Sequence, residues 1–121
     1  MDPRIDREAL KRLLAAIGGN TADLNEILDD YRVNSPNLVE TMRTAGANDD
    51  WDATRVAAHS LKSNARDIGA RHLEELCADL ERRCKEGGPI ADFADVIAAI
   101  ASAEADTRAA LDAVSLGDLV S

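Results

Sequence analysis

Glycine cuts this chain into separately patterned pieces. Gly18-Gly19, Gly46, Gly69 and Gly87-Gly88-Pro89 close stretches whose apolar residues recur every three or four positions, the spacing of one face of an α-helix. Glycine leaves a helix easily because it adopts left-handed backbone at no steric cost. Such punctuation predicts several amphipathic helices joined by tight connections. The β-branched and aromatic runs of strands are missing. Aromatic residues make up 2% of the chain and alanine is abundant. Alanine is the best helix former, and small side chains let helix axes approach closely. With 45% apolar residues, a length of 121 residues suits one domain around one core.

The punctuation sets the expected elements. A first helix is predicted from Asp2-Pro3, an N-cap followed by proline at the first helical position, with Ile5, Leu10, Leu13, Leu14 and Ile17 as its apolar stripe. Asn20 or Thr21 caps the second, which carries Leu24, Ile27, Leu28 and Tyr31. Pro36 lies within it and predicts a kink or short break near Asn34-Ser35. The pattern resumes with Leu38, Val39 and Met42 and stops at Gly46. Asn48, Asp49 and Asp50 signal the next N-cap, before a helix bearing Ala57, Leu61 and Ile68 on one face. A tight turn at Asp67–Ala70, with Gly69 as its turn residue, leads to a helix with Leu73, Leu76, Cys77, Leu80 and Cys84. The last helix is predicted from about Ile90, through Phe93, Val96, Ile97, Ile100, Leu111 and Val114, with residues 115–121 as a frayed tail. Short connections make neighbours antiparallel. The expected fold is all-α, a single domain over 1–121: an up-and-down antiparallel four-helix bundle with a short extra N-terminal helix.

Charge and motifs remove several functions. A formal charge of −9 argues against nucleic-acid or anionic-membrane partners. No window approaches the length of a membrane span, and the N-terminus lacks the apolar core of a signal peptide. Cys77 and Cys84 are seven residues apart, roughly 10 Å along a helix. They read as reduced thiols of a cytoplasmic protein. Neither G-x-x-x-x-G-K-[ST] nor G-x-G-x-x-G occurs, so no autonomous ATP-dependent kinase activity is expected. A carboxylate di-metal bundle would need Glu three residues before His. Val56 precedes His59 and Gly69 precedes His72 at that spacing, so no metal site is assigned.

His59 is the residue that invites a chemical reading. On a helical wheel, Ala57, Leu61 and Ile68 fall opposite it, whereas Asp52, Arg55, Lys62, Ser63 and Arg66 lie within about 60° of it. The ring therefore faces water. Across the turn at Gly69, His59 stands ten residues before the glycine and Glu81 twelve after it. In an antiparallel pair they reach similar heights. A carboxylate there would fix the tautomer of the ring and stabilise its cation, leaving the other nitrogen as a nucleophile. Lys62 and Arg55, one turn either way, are positioned to stabilise a phosphoryl group on the ring. Ordinary solvated helix charge is the plainer account of Lys62 and Glu81 taken singly.

The segment A-H-S-L-K-S-N-A-R-D-I-G-A, residues 58–70, followed by L-E-E-L-C-A-D-L-E, residues 73–81, resembles the signature of histidine phosphotransfer (HPt) domains of bacterial phosphorelays. The likeness extends over nearly the whole chain. It implies a four-helix bundle in which His59 is the phosphoacceptor, taking a phosphoryl group from an aspartyl phosphate of one receiver domain and passing it to an aspartate of another. Lys62 matches the family lysine beside the histidine, Glu81 the residue that hydrogen-bonds the ring, and Gly69 the turn glycine. No intrinsic cofactor is implied, because the receiver supplies Mg²⁺. The implied partners are response regulator receiver domains and a hybrid histidine kinase. Arg55, Ala58, Ser63 and Arg66 are expected to form the docking surface, and a monomer is expected. Ser63 departs from the glycine that the family usually has after the lysine, which bears on the choice of partner. A non-catalytic adaptor that binds receivers without accepting phosphate is the alternative.

Overall fold

A computed structural model describes residues 4–120. Asp2-Pro3, the expected first helix start, lies outside them. The first helix, α1, is Arg7–Ala16, and it begins where Asp6 turns extended and its carboxylate accepts the Glu8 N–H at 3.0 Å. That side chain satisfies one of the N–H groups that a helix leaves unpaired at its start. Gly18 and Gly19, at φ +92° and +81°, end the element. The second helix, α2, is Thr21–Ala47, capped by Asn20. It is unbroken at Pro36, so the expected break does not occur. Leu28 and Tyr31 before the proline and Val39 and Met42 after it are all buried. A helix docked on both sides of the proline stays continuous despite a cost of about 3 kcal/mol for the lost bond and ring clash. The helix also passes Gly46, which is buried where any Cβ would strike the Phe93 ring. It stops instead through Asp49, at φ +57°, with the Asp50 N–H returning to the Ala45 carbonyl at 2.9 Å.

The third and fourth helices, α3 (Trp51–Asp67) and α4 (Arg71–Lys85), form a tight hairpin. Asp50 caps α3 by accepting the Ala53 N–H at 3.1 Å. Gly69 makes the turn at φ +74°. A Cβ there would lie 2.6–2.8 Å from Cβ, N and O of Asp6, so the missing side chain also lets the start of α1 lie against the hairpin. Arg71 fastens the same junction with a 3.2 Å bond to Asp6. The fifth helix, α5, is Phe93–Asp112, three residues later than the expected start at Ile90, which is buried in the connection.

Helices α2, α3, α4 and α5 close a ring in which each packs on two neighbours. Side-chain pairs fix the directions. Arg66 meets Glu74 between α3 and α4, Arg32 meets Asp112 between α2 and α5, and Arg83 meets Asp92 at the turn between α4 and α5. Neighbours are antiparallel, and the fold is the expected all-helical bundle with α1 packed on its end. The core runs from Leu10 and Leu14 through Leu24, Leu28, Met42, Leu61, Leu73, Leu80 and Ile100 to Leu111. The tail departs from the expected fraying. Leu116–Leu119 form a 3₁₀ turn, Leu119 is buried, and Arg7 pairs with Asp118 at 3.6 Å. The apolar side chain gives the segment a reason to dock.

Candidate active site

The site is built by what α3 buries. Thr54, Ala57, Ala58, Leu61 and Ala65 face the bundle, which turns His59 outward with 57% of its side chain exposed. From α4, Leu73, Cys77, Leu80 and Cys84 fill the same core. Glu81 lies along that edge with only 7% of its side chain exposed. Its carboxylate is not left unpaired. Nδ1 of His59 lies 2.7 Å from Oε2, and Nζ of Lys62, 18% exposed, lies 2.5 Å from Oε1. The structure thus brings together His59, Lys62 and Glu81.

The electrostatics follow from these bonds. The Lys62 ammonium holds the Glu81 carboxyl below the ordinary carboxylate range, with the His59 bond adding to it and burial opposing it. An ionised carboxylate only accepts hydrogen bonds, so Nδ1 is the donor and carries the ring proton. The neutral ring is then the Nδ1–H tautomer, with its lone pair on Nε2. Among the described residues nothing bonds Nε2. An imidazole so held is an oriented nucleophile for an electrophilic phosphorus or carbon centre. The nearby thiols are not. Burial pushes the Cys77 thiol up to about 12 and raises that of Cys84, which keeps both protonated. Both side chains are buried. His72 is exposed in the first turn of α4, away from the triad. Among the described residues no three His, Cys, Asp or Glu side chains converge as a metal set.

A family model described as Hpt domain matches residues 26–115. The chain belongs to the Hpt domain family. Phosphotransfer in phosphorelays is the work of that family, in exchange with receiver domains and hybrid kinases. No curated protein matches the chain. In structure, this Hpt domain is similar to histidine-containing phosphotransfer protein B (HptB) from Pseudomonas aeruginosa PAO1. The TM-score is 0.82 at 22% identity, over 93% of this chain and 94% of that one. It is also similar to the HPT domain from the Hpt sensor hybrid histidine kinase from Shewanella, with a TM-score of 0.69 at 19% identity, over 88% of this chain and 93% of that one. At these identities the likeness is one of fold.

The flanks of the site in this Hpt domain differ from expectation in one residue. Ala58 is 0% exposed and cannot offer its methyl group to a partner. Because α3 packs against both α2 and α4, its buried arc is wider than the Ala57–Leu61–Ile68 stripe. Arg55 and Arg66 lie on the outward side, but each is paired: Arg55 Nη2 with Asp52 at 2.8 Å and Arg66 Nε with Glu74 at 2.8 Å. The Ser63 hydroxyl donates to the His59 carbonyl at 3.1 Å. Asn64 lines a cleft between α2 and α3 with Ile27, Tyr31 and Asp67. Two neighbours were not foreseen. Val56, one turn before His59, is half exposed. Lys85 Nζ stands 3.8 Å from Glu81 Oε2, a partner that its four-residue spacing from Glu81 could have revealed. Among the described residues no helix is long and apolar enough to cross a membrane.

Proposed function

We propose that this protein is a phosphorelay intermediate that accepts a phosphoryl group on Nε2 of His59 from a receiver-domain aspartyl phosphate and returns it to an aspartate of another receiver. The observation that carries the reading is the 2.7 Å bond from Nδ1 to a buried carboxylate on a ring whose other nitrogen is open. In the step toward His59, the Nε2 lone pair attacks phosphorus. The P–O bond breaks, and its electron pair stays on the aspartate carboxylate. Glu81 holds the ring in the reactive tautomer and faces the positive charge that develops on it. Lys62 uses one of three N–H donors on Glu81, and the others remain for phosphoryl oxygens. The receiver's Mg²⁺ neutralises charge on the transferring group. This chain's part is to present an oriented imidazole.

Docking on the face around His59 involves Arg55, Ser63 and Arg66. Encounters are transient, with kinase-linked and regulator-linked receivers as the two sides of the relay. The protein acts as a cytoplasmic monomer. Among the described residues the exposed large apolar side chains are Val33 on α2, Val56 on α3 and Val120 just after the 3₁₀ turn, a scatter ordinary for monomers.

Receiver domains loaded with labelled phosphate, mixed with this chain and Mg²⁺, test the reading. Label is expected on the chain, acid-labile and base-stable, and absent from His59→Gln. Receivers that bind the chain and label a second Hpt protein, yet leave His59 unlabelled, would make it an adaptor instead.

A further inference from the structure

The bond from His59 does more than aim the ring. Glu81 offers a full negative charge where a neutral amide would satisfy the same Nδ1–H, and that charge is nearly buried, at 7% side-chain exposure. The consequence falls on the outgoing step. In phosphorylated His59, with Nδ1 still protonated, the ring is an imidazolium. When the N–P bond breaks, the electron pair returns to Nε2 and neutral Nδ1–H imidazole departs. If Nδ1 has lost its proton, the same cleavage must expel an imidazolate, a far poorer leaving group. The acceptor is a carboxylate oxygen of a receiver aspartate in transfer and water in hydrolysis. In either case retention of the Nδ1 proton sets how readily the group leaves.

We infer that Glu81 is a positioning residue whose charge holds the proton on Nδ1 of phosphorylated His59, keeping the phosphoryl group labile and deliverable into the mildly alkaline range. This inference rests on His59 as phosphoacceptor. The groups that face the ring support it. From α4 come Glu81 and, through it, Lys85 at 3.8 Å. On α3 itself, Lys62 is bound to Oε1 of the same carboxylate, Arg55 is paired with Asp52 and Arg66 with Glu74. From α1 and α2, among the described residues, no charged group bonds it. Among the described residues Glu81 is the one anion bonded to the ring, and the cations around it are bonded to Glu81 or to other acids. Glu81→Gln would keep a hydrogen-bond acceptor but remove the charge and release Lys62. Both changes disfavour a proton on Nδ1.

The test uses the full chain phosphorylated by potassium phosphoramidate, which needs no receiver, in a His72→Gln background so that one exposed histidine remains. Hydrolysis is followed by ³¹P NMR from pH 6 to 10 for Glu81 and Glu81→Gln chains. An opposite charge at this range moves a titration by one or more pH units. The fast-hydrolysis plateau should therefore end about one pH unit lower in Glu81→Gln, with loss about twofold slower at the lower midpoint and about tenfold slower above the upper one. A readout on the unaltered carboxylate guards against a misfolded variant. The ¹⁵N shift of Nδ1 in the phosphorylated chain should titrate above that of phosphorylated His72 in the wild-type protein. Coincident hydrolysis profiles, or an Nδ1 midpoint no higher than that of His72, overturn the inference and leave the phosphoacceptor reading standing. A His59 that takes no phosphoryl group at all overturns both.

Discussion

Lys62 keeps a nearly buried carboxylate ionised, so its removal should register in stability as well as in transfer. Glu81 titrates below the ordinary carboxylate value in the folded chain, first because of Lys62. A group depressed on folding contributes stability fully present above its unfolded value, about 4.3, and lost as pH falls through its folded value. Lys62→Met is expected to cost about 2 kcal/mol at pH 7, the scale of a charge-assisted bond. The difference from wild type should shrink as the pH drops below about 4. Thermal melts from pH 3 to 8 check this; a pH-independent gap would mean that Lys62 acts through its methylene stem. The pairing of His59 with Glu81 was legible because hairpin arithmetic gives height and a helical wheel gives direction. The same tools do not say which of several donors a carboxylate accepts, so the hold of Lys62 on Glu81 was not legible. A wheel centred on three residues leaves Ala58 at the exposed edge because it underestimates an arc buried by two neighbouring helices.

The α3–α4 hairpin depends on one backbone conformation. Gly69 combines φ +74° with Asp6 backbone atoms 2.8 Å from where a side chain would start. Gly69→Ala meets both left-handed strain and a collision with atoms that cannot swing away. A loss of about 2 kcal/mol or more is expected, with α1 loosened from the hairpin. Urea denaturation measures the first effect, and amide exchange at Leu10 and Leu14 the second. The glycine pattern made the hairpin readable from sequence. It was less reliable at Gly46, where the helix runs one residue further because tertiary packing against Phe93, not backbone freedom, accounts for the glycine. Pro36 carried a break signal that burial on both sides overrode. Such contests between a local signal and long-range packing lie beyond a reading made one helix at a time.

Charge over the molecule as a whole runs against charge at the site. The chain carries −9 in total, yet Arg55, Lys62 and Arg66 share the side of α3 around His59. The two arginines are offset by Asp52 and Glu74, so the docking stripe proposed above is polar but partly neutralised. Arg55→Glu combined with Arg66→Glu is expected to slow transfer from a cognate receiver about tenfold at low salt, and less as ionic strength rises. Stopped-flow or quenched-label kinetics at two salt concentrations would measure it; equal rates would remove the stripe from the docking surface. Helix order and bundle class were legible because connections are short. The docked tail was not, because Leu116 and Leu119 are too few to show a period. His59, Lys62 and Glu81 also share a property independent of the partner. They lie within 22 residues of one another on a single helical hairpin. Closing so short a loop costs little chain entropy, and local contacts form early. The chemical centre should therefore assemble ahead of the complete bundle and outlast excursions in which α1 or the tail lifts away. If this protein works through brief encounters, as proposed above, readiness of the histidine would then not depend on the integrity of the domain's ends.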